Sequence, residues 1–87
     1  MKDINKKMLR ILLVEDEDIY QEIIQRYTKA MGLDITIVDN GEKCIHELQN
    51  DAYDIILMDI EMPQKNGFKS TAELRKNGVK TPIIAVT

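Results

Sequence analysis

Apolar residues arrive along this chain in two alternating forms, short solid runs and spaced stripes, and the alternation predicts the elements. Arg10-Ile11-Leu12-Leu13-Val14 is almost continuous and ends in carboxylates, which is how a strand buried on both faces of a parallel sheet reads. From Asp18 to Met31 the apolar positions Ile19, Ile23, Tyr27 and Met31 recur at helical spacing, and Gly32 follows where a helix end favours a left-handed residue. Leu33, Ile35 and Ile37 then alternate with polar neighbours as a second strand, punctuated by the loop Asp39-Asn40-Gly41. A second helix is expected from about Glu42 to Asn50, with Cys44, Ile45 and Leu48 on its apolar face. Tyr53 to Met58 predicts a third, central strand that delivers Asp59 at its end. Met62 to Gly67 reads as a loop, after which Phe68, Ala72 and Arg75 share one side of a third helix closed by Gly78. Thr81-Pro82 opens a fourth apolar strand, Ile83 to Val86.

Strands that alternate with helices imply right-handed crossovers and a parallel sheet covered on both faces. The short connections favour an α/β, doubly wound sheet over a helical bundle. With 87 residues there is room for one domain. Its expected limits are a polar leader over residues 1–8 and the folded unit over 9–87.

Composition narrows the function classes. Apolar residues make up 44% and charged residues 31% of the chain, the balance of an ordinary globular domain. Its net charge of -3 carries no long run of either sign, so direct nucleic-acid binding by this segment is not expected. Lys2, Lys6, Lys7 and Arg10 make the start basic, yet Glu15 to Asp18 interrupt the apolar run that a secretory leader would need. No apolar stretch approaches the roughly 20 residues that span a bilayer. A cytoplasmic protein without membrane contact from this segment is the expectation. Cys44 is the only cysteine, which excludes an internal disulfide and makes packing its expected role.

Candidate chemistry lies just beyond the apolar runs. In open parallel sheets ligands bind outside the carboxyl ends of the strands. Here the first strand ends in Glu15-Asp16, the third in Asp59 and the fourth in Thr87. Clustered carboxylates repel one another, and a divalent cation relieves that conflict. Magnesium prefers oxygen ligands and keeps open positions that a phosphate can fill, which makes phosphoryl transfer to a positioned carboxylate feasible. Plainer roles compete. Glu15 to Asp18 also complement the positive end of the first helix, Asp59 can be a loop residue after a strand, and Thr87 suits any strand end. His46 sits on a charged helix and is assigned to solvent. Tyr20, Tyr27, Tyr53, Met31, Met58 and Met62 are assigned to packing.

Over essentially its whole length the chain resembles the receiver domains of two-component response regulators. The resemblance rests on Ile11-Leu12-Leu13-Val14-Glu15-Asp16-Glu17, on Asp54-Ile55-Ile56-Leu57-Met58-Asp59-Ile60-Glu61-Met62-Pro63 with Asn66-Gly67 following, and on Pro82-Ile83-Ile84-Ala85-Val86-Thr87. It implies a flavodoxin-like sheet in strand order 2-1-3-4, carrying four of the family's usual five strands. It also implies that Asp59 accepts a phosphoryl group from a histidine kinase or a histidine phosphotransfer protein. Asp16 and Asp59 would ligate Mg2+ through carboxylates, Glu61 through its backbone carbonyl and Glu15 through a bound water, and Thr87 would be the switch hydroxyl. The domain would be a regulatory phosphoacceptor that loses its phosphoryl group slowly to water, in a protein that could also carry a kinase module.

The family's pattern continues to a lysine at the end of a fifth strand, and the 87 residues stop before it. Lys65, Lys69 and Lys80 do not match its position. The chain is therefore expected to be a fragment truncated after the fourth strand, which leaves that strand as an exposed edge able to pair in a homodimer and deprives the first helix of a neighbour. Two further readings stay open. One is a receiver-like module used only for dimerisation or docking. The other is an aspartate-nucleophile, magnesium-dependent phosphohydrolase, suggested by Asp59-Ile60-Glu61, although the acidic pair after the first strand does not belong to that class.

Overall fold

A computed structural model describes residues 9–62 and 67–86. Its order is β1 (Arg10–Val14), α1 (Asp18–Ala30), β2 (Asp34–Val38), α2 (Gly41–Asn50), β3 (Ile55–Asp59), α3 (Gly67–Lys76) and β4 (Ile83–Val86). The expected elements are all present, with boundaries moved by a residue or two. One move matters, because Asp59 is the last residue of β3 and not the first residue after it.

The sheet is parallel, in the order β2-β1-β3-β4. Register pairs Leu13 with Ile37 on one side and with Leu57 on the other, and pairs Leu57 with Ile84. Since strand side chains alternate between faces, Leu13, Leu57, Ile84 and Val86 share one face while Leu12, Val14, Ile56 and Met58 share the other. The second set forms the core with Val38, Cys44, Met62 and Leu74, so α2 and α3 cover that face. Leu12, Val14, Ile56, Met58, Cys44 and Leu74 are fully buried there.

Helix ends follow local chemistry. Asn40 caps α2, its side-chain oxygen accepting from the Lys43 N–H at 2.8 Å. Gly32 and Gly78 take the left-handed conformation, with φ of 74° and 83°, and end α1 and α3 as their positions predict. After Gly32 the Leu33 N–H reaches back to the Thr28 carbonyl at 2.9 Å, and after Gly78 the Val79 N–H reaches the Leu74 carbonyl at 3.0 Å.

Two helix faces differ from expectation. In α3 the buried positions are Gly67, Ser70 and Leu74, while Phe68, Ala72 and Arg75 are exposed. Spacing alone defines several possible stripes on a ten-residue helix, and contact with Gly41 of α2 and with β3 selects the one through Ser70 and Leu74. In α1 no residue is fully buried. The side turned to the sheet carries Gln21, Ile24 and Thr28, and the apolar stripe Ile19, Ile23, Tyr27 and Met31 faces outward. Tyr20, Tyr27 and Met31 are thus surface residues and not packing, whereas Met58 and Met62 are buried as expected.

The amino end of the sheet is tied by Arg10. Its guanidinium makes a two-pronged contact with Asp51, Nη1 to Oδ1 at 2.6 Å and Nη2 to Oδ2 at 2.9 Å. Its Nε donates to Asp34 at 3.2 Å, and the group lies 4.8 Å from the centre of the Tyr53 ring. One side chain thereby fastens β1 to the start of β2 and to the turn before β3, leaving the opposite, carboxyl end free for chemistry.

Candidate functional site

Parallel strands end together, so β1 and the adjacent β3 bring their terminal acids to one rim. Glu15 follows β1, with its backbone N–H bonded to the Val38 carbonyl at 3.0 Å, and Asp59 ends β3. One carboxylate oxygen from each of Glu15, Asp16 and Asp59 lies within 4.8 Å of the others. Glu15 and Asp59 are only 6% and 9% exposed, so these charges have little water to screen them. Burial pushes the Glu15 carboxyl above its ordinary range, helped by repulsion from Asp59 and Asp16 and opposed by a hydrogen bond from the Glu17 N–H at 3.1 Å.

The backbone holds the cluster in place. The Glu61 N–H donates to Asp59 Oδ1 at 2.9 Å, which orients the carboxylate within the turn. The Gln21 side-chain amide, one turn into α1, donates to the Glu15 carbonyl and to Asp39 at 3.3 Å. Asp39 is also paired with Lys43 at 2.7 Å, and that lysine holds its carboxyl below the ordinary range. On the other side Gly67 opens α3 against β3, where an added Cβ would stand 2.6 Å from the Asp59 carbonyl oxygen and 2.7 Å from Ile60 Cα. Only glycine permits that approach.

The donor set fits a hard divalent cation. Asp16 Oδ1 is buried with no hydrogen-bond partner among the described residues, a costly state for a carboxylate oxygen unless a cation completes it. Three converging carboxylates supply oxygen ligands of the kind magnesium takes. A groove of about 480 Å³ leads away from this rim along the sheet, between Tyr20 and Ile24 of α1 and Leu57 and Val86 of the strands, with Glu61 also at its acidic end.

The structure thus brings together Glu15, Asp16 and Asp59, with Glu61 bordering the same groove. Thr87 lies outside the described residues, as do Lys65 and the Pro63 to Asn66 part of the expected motif. Sequence reasoning missed Gln21, the steric role of Gly67 and the Arg10 clamp. Arg10 had a signal, because Asp34 and Asp51 stand before or at the starts of the strands flanking β1.

The acidic rim lies at the carboxyl end of a doubly wound parallel sheet, the edge at which this class of fold binds its ligands. The comparisons with known proteins name the class. Residues 11–87 match the response regulator receiver domain family, and the chain belongs to it. It is 40% identical over 86 residues to the two-component response regulator ORR41 of Oryza sativa subsp. japonica, covering 94% of this chain and 68% of that protein. Among solved structures, it superposes at a TM-score of 0.79 and 36% identity on the receiver domain of sensor histidine kinase PA1611 from Pseudomonas aeruginosa PAO1, solved with magnesium in its active-site cleft, over 93% of this chain and 68% of that one. A second match, at TM-score 0.79 and 34% identity over 92% of this chain and 69% of the other, is a complex of histidine kinase ThkA with response regulator TrrA. The chain spans 64% of another matched receiver domain and as little as 9% of a longer relative.

Among the described residues no helix is long and apolar enough to cross a membrane. Cys44 is buried, which pushes its thiol up to about 12 and leaves it inert, as a packing role requires. His46 is exposed on α2, in keeping with its assignment to solvent.

Proposed function

We propose that this chain is the phosphoacceptor part of a two-component or phosphorelay protein, receiving a phosphoryl group on Asp59 from a phosphohistidine in a kinase or phosphotransfer partner. The observation that carries the reading is the convergence of Glu15, Asp16 and Asp59 within 4.8 Å, with one Asp16 oxygen buried and unpartnered among the described residues. In the transfer, a carboxylate oxygen of Asp59 attacks phosphorus, the bond from phosphorus to the donor imidazole nitrogen breaks, and the imidazole leaves neutral. The Glu61 N–H holds the Asp59 carboxylate in one orientation for that attack. Asp16 and Asp59 would hold Mg2+ directly, with the Glu61 carbonyl, and Glu15 would act through a water. When bound, the ion supplies charge neutralisation for the phosphoryl oxygens.

Beyond Asp59, Thr87 is proposed as the switch hydroxyl that reports the phosphorylated state through a population shift. The acting domain is taken as residues 9–87 behind a short leader, in a cytoplasmic protein. The kinase, the output and any further modules belong to the whole protein, of which relatives carry more.

Intact-mass measurement and NMR shifts during treatment with a small phosphodonor or beryllofluoride test this reading, with Asp59→Asn as the control. Modification that needs both magnesium and Asp59 is expected. A folded chain that takes up nothing, alone or extended beyond Thr87, would overturn it, and rapid steady turnover of a small phosphomonoester would point to the phosphohydrolase instead. A docking or dimerisation module is the second reading, favoured by the outer side of β4, unpaired among the described residues, and by exposed Ile84 on it.

A further inference from the structure

We propose that Gln21 is a positioning residue for the cation site, fixing the Glu15–Asp16 peptide and itself fixed by Asp39 and Lys43, a role that rests on the phosphoacceptor reading above. Of the three clustered acids, two are steered by a backbone donor. The Glu17 N–H donates to Glu15 Oε2 at 3.1 Å, and the Glu61 N–H donates to Asp59 Oδ1 at 2.9 Å. Asp16 Oδ1 has no partner among the described residues, so the direction of that carboxylate is set through its backbone. A peptide unit is planar, and whatever holds the Glu15 carbonyl therefore also fixes where Asp16 begins. The Gln21 side-chain amide holds that carbonyl.

Helix geometry explains the reach. Gln21 stands one turn into α1, its N–H bonded to the Glu17 carbonyl at 2.9 Å, and helical side chains lean toward the amino end, which carries the amide back over the junction with β1. Glu17, at the cap position, makes no side-chain capping bond, so Gln21 ties this end of α1 to the sheet. The amide is oriented by its surroundings. The Glu15 carbonyl and the Asp39 carboxylate, the latter at 3.3 Å, are both acceptors, so the nitrogen end faces them and donates to each. Lys43 Nζ holds Asp39 at 2.7 Å, while the Lys43 N–H is fixed at 2.8 Å by the capping oxygen of Asn40. Lys43, Asp39, Gln21 and Glu15 thus connect the start of α2 to the peptide that carries Asp16, on the β2 side of the rim and across β1 from Asp59. Outer partners of metal ligands are worth roughly 10- to 100-fold in affinity, and action through the backbone puts Gln21 near the lower end.

Magnesium titration followed by the amide NMR signals of Asp16 and Asp59 tests the proposal, with the Glu15 carbonyl carbon shift read separately in EDTA. Gln21→Met keeps the length of the side chain and removes its donors. It should weaken magnesium binding about tenfold and move the Glu15 carbonyl signal toward that of an unbonded carbonyl, while circular dichroism shows the fold unchanged. Gln21→Asn, polar but one carbon too short to reach, should behave in the same way. Asp39→Ala should weaken magnesium binding more in the wild-type chain than in Gln21→Met, because loss of its charge acts in both backgrounds and loss of its hold on the amide acts in only one. Equal affinity in wild type and both Gln21 variants, or strictly additive effects of Gln21→Met and Asp39→Ala, would overturn the proposal alone. A folded wild type whose signals do not respond to magnesium would overturn the phosphoacceptor reading and the proposal with it.

Discussion

Glu15→Gln should stabilise the metal-free protein and reduce what magnesium adds. The substitution keeps the shape of the side chain and removes one of three charges within 4.8 Å. At that separation two like unit charges repel by about 3.5 kcal/mol at an effective dielectric of 20 and by about 1 kcal/mol in bulk water. Glu15 already avoids part of this cost through its raised pKa, so the relief falls at about 1 to 2 kcal/mol. Against it stands a weaker hydrogen bond from the Glu17 N–H to a neutral oxygen, a loss of about 0.5 kcal/mol. A net gain of about 1 kcal/mol raises Tm by about 4 to 8 °C in a domain of this size. Thermal melts by circular dichroism in EDTA measure it. On the proposed reading, magnesium at a hundred times its Kd should add about 2.7 kcal/mol to the wild type and less to the variant, so that the order of the two melts narrows or reverses.

The pH dependence has a definite sign. Between the ordinary carboxylate range and the raised Glu15 pKa, the folded chain holds a proton that the unfolded chain has released, so metal-free stability falls as pH rises through that window. Replacing Glu15 by glutamine removes this slope. A Glu15→Gln protein that melts lower than wild type in EDTA, or one with an undiminished magnesium gain, would refute the electrostatic reasoning.

Gly67→Ala should push α3 away from β3, because the added methyl meets backbone at 2.6 and 2.7 Å; a loss of about 1 to 3 kcal/mol by denaturant titration is expected, together with shifted amide signals at Asp59 and Glu61. Leu74→Ala empties a fully buried site under α3 and should cost about 2 to 5 kcal/mol in the same assay, while Phe68→Ala on the exposed side should stay within about 0.5 kcal/mol. The Arg10 contact holds the Asp51 carboxyl at about 2, below its ordinary 3.8. Its stabilising effect is therefore present above the unfolded-state value and lost as pH falls through about 2, and a carboxyl NMR titration of Arg10→Met should return Asp51 toward the ordinary value.

Much of this molecule is legible in its residue order. Solid apolar runs followed by acids locate the strands and their chemical ends, since a strand covered on both faces tolerates no alternation and its terminal residue emerges at the rim. The glycines that close α1 and α3 are local requirements of backbone conformation, so they too are visible in advance. Asp59, Glu15 and Asp16 could be named together because parallel neighbours bring like ends together. Tertiary structure alone decided which stripe each helix buries. Periodicity reports that α1 has an apolar side, but β2 and the sheet face hold Gln21, Ile24 and Thr28, and the stripe through Ile23 is left in water. In α3, the close approach of Gly41 to Ser70 sets the rotation that buries Leu74 and exposes Phe68. The three-way grip of Arg10 and the unpartnered oxygen of Asp16 likewise depend on registers between strands distant in sequence. Local order specifies what a segment can offer, and only packing against its neighbours determines which side of that offer is used.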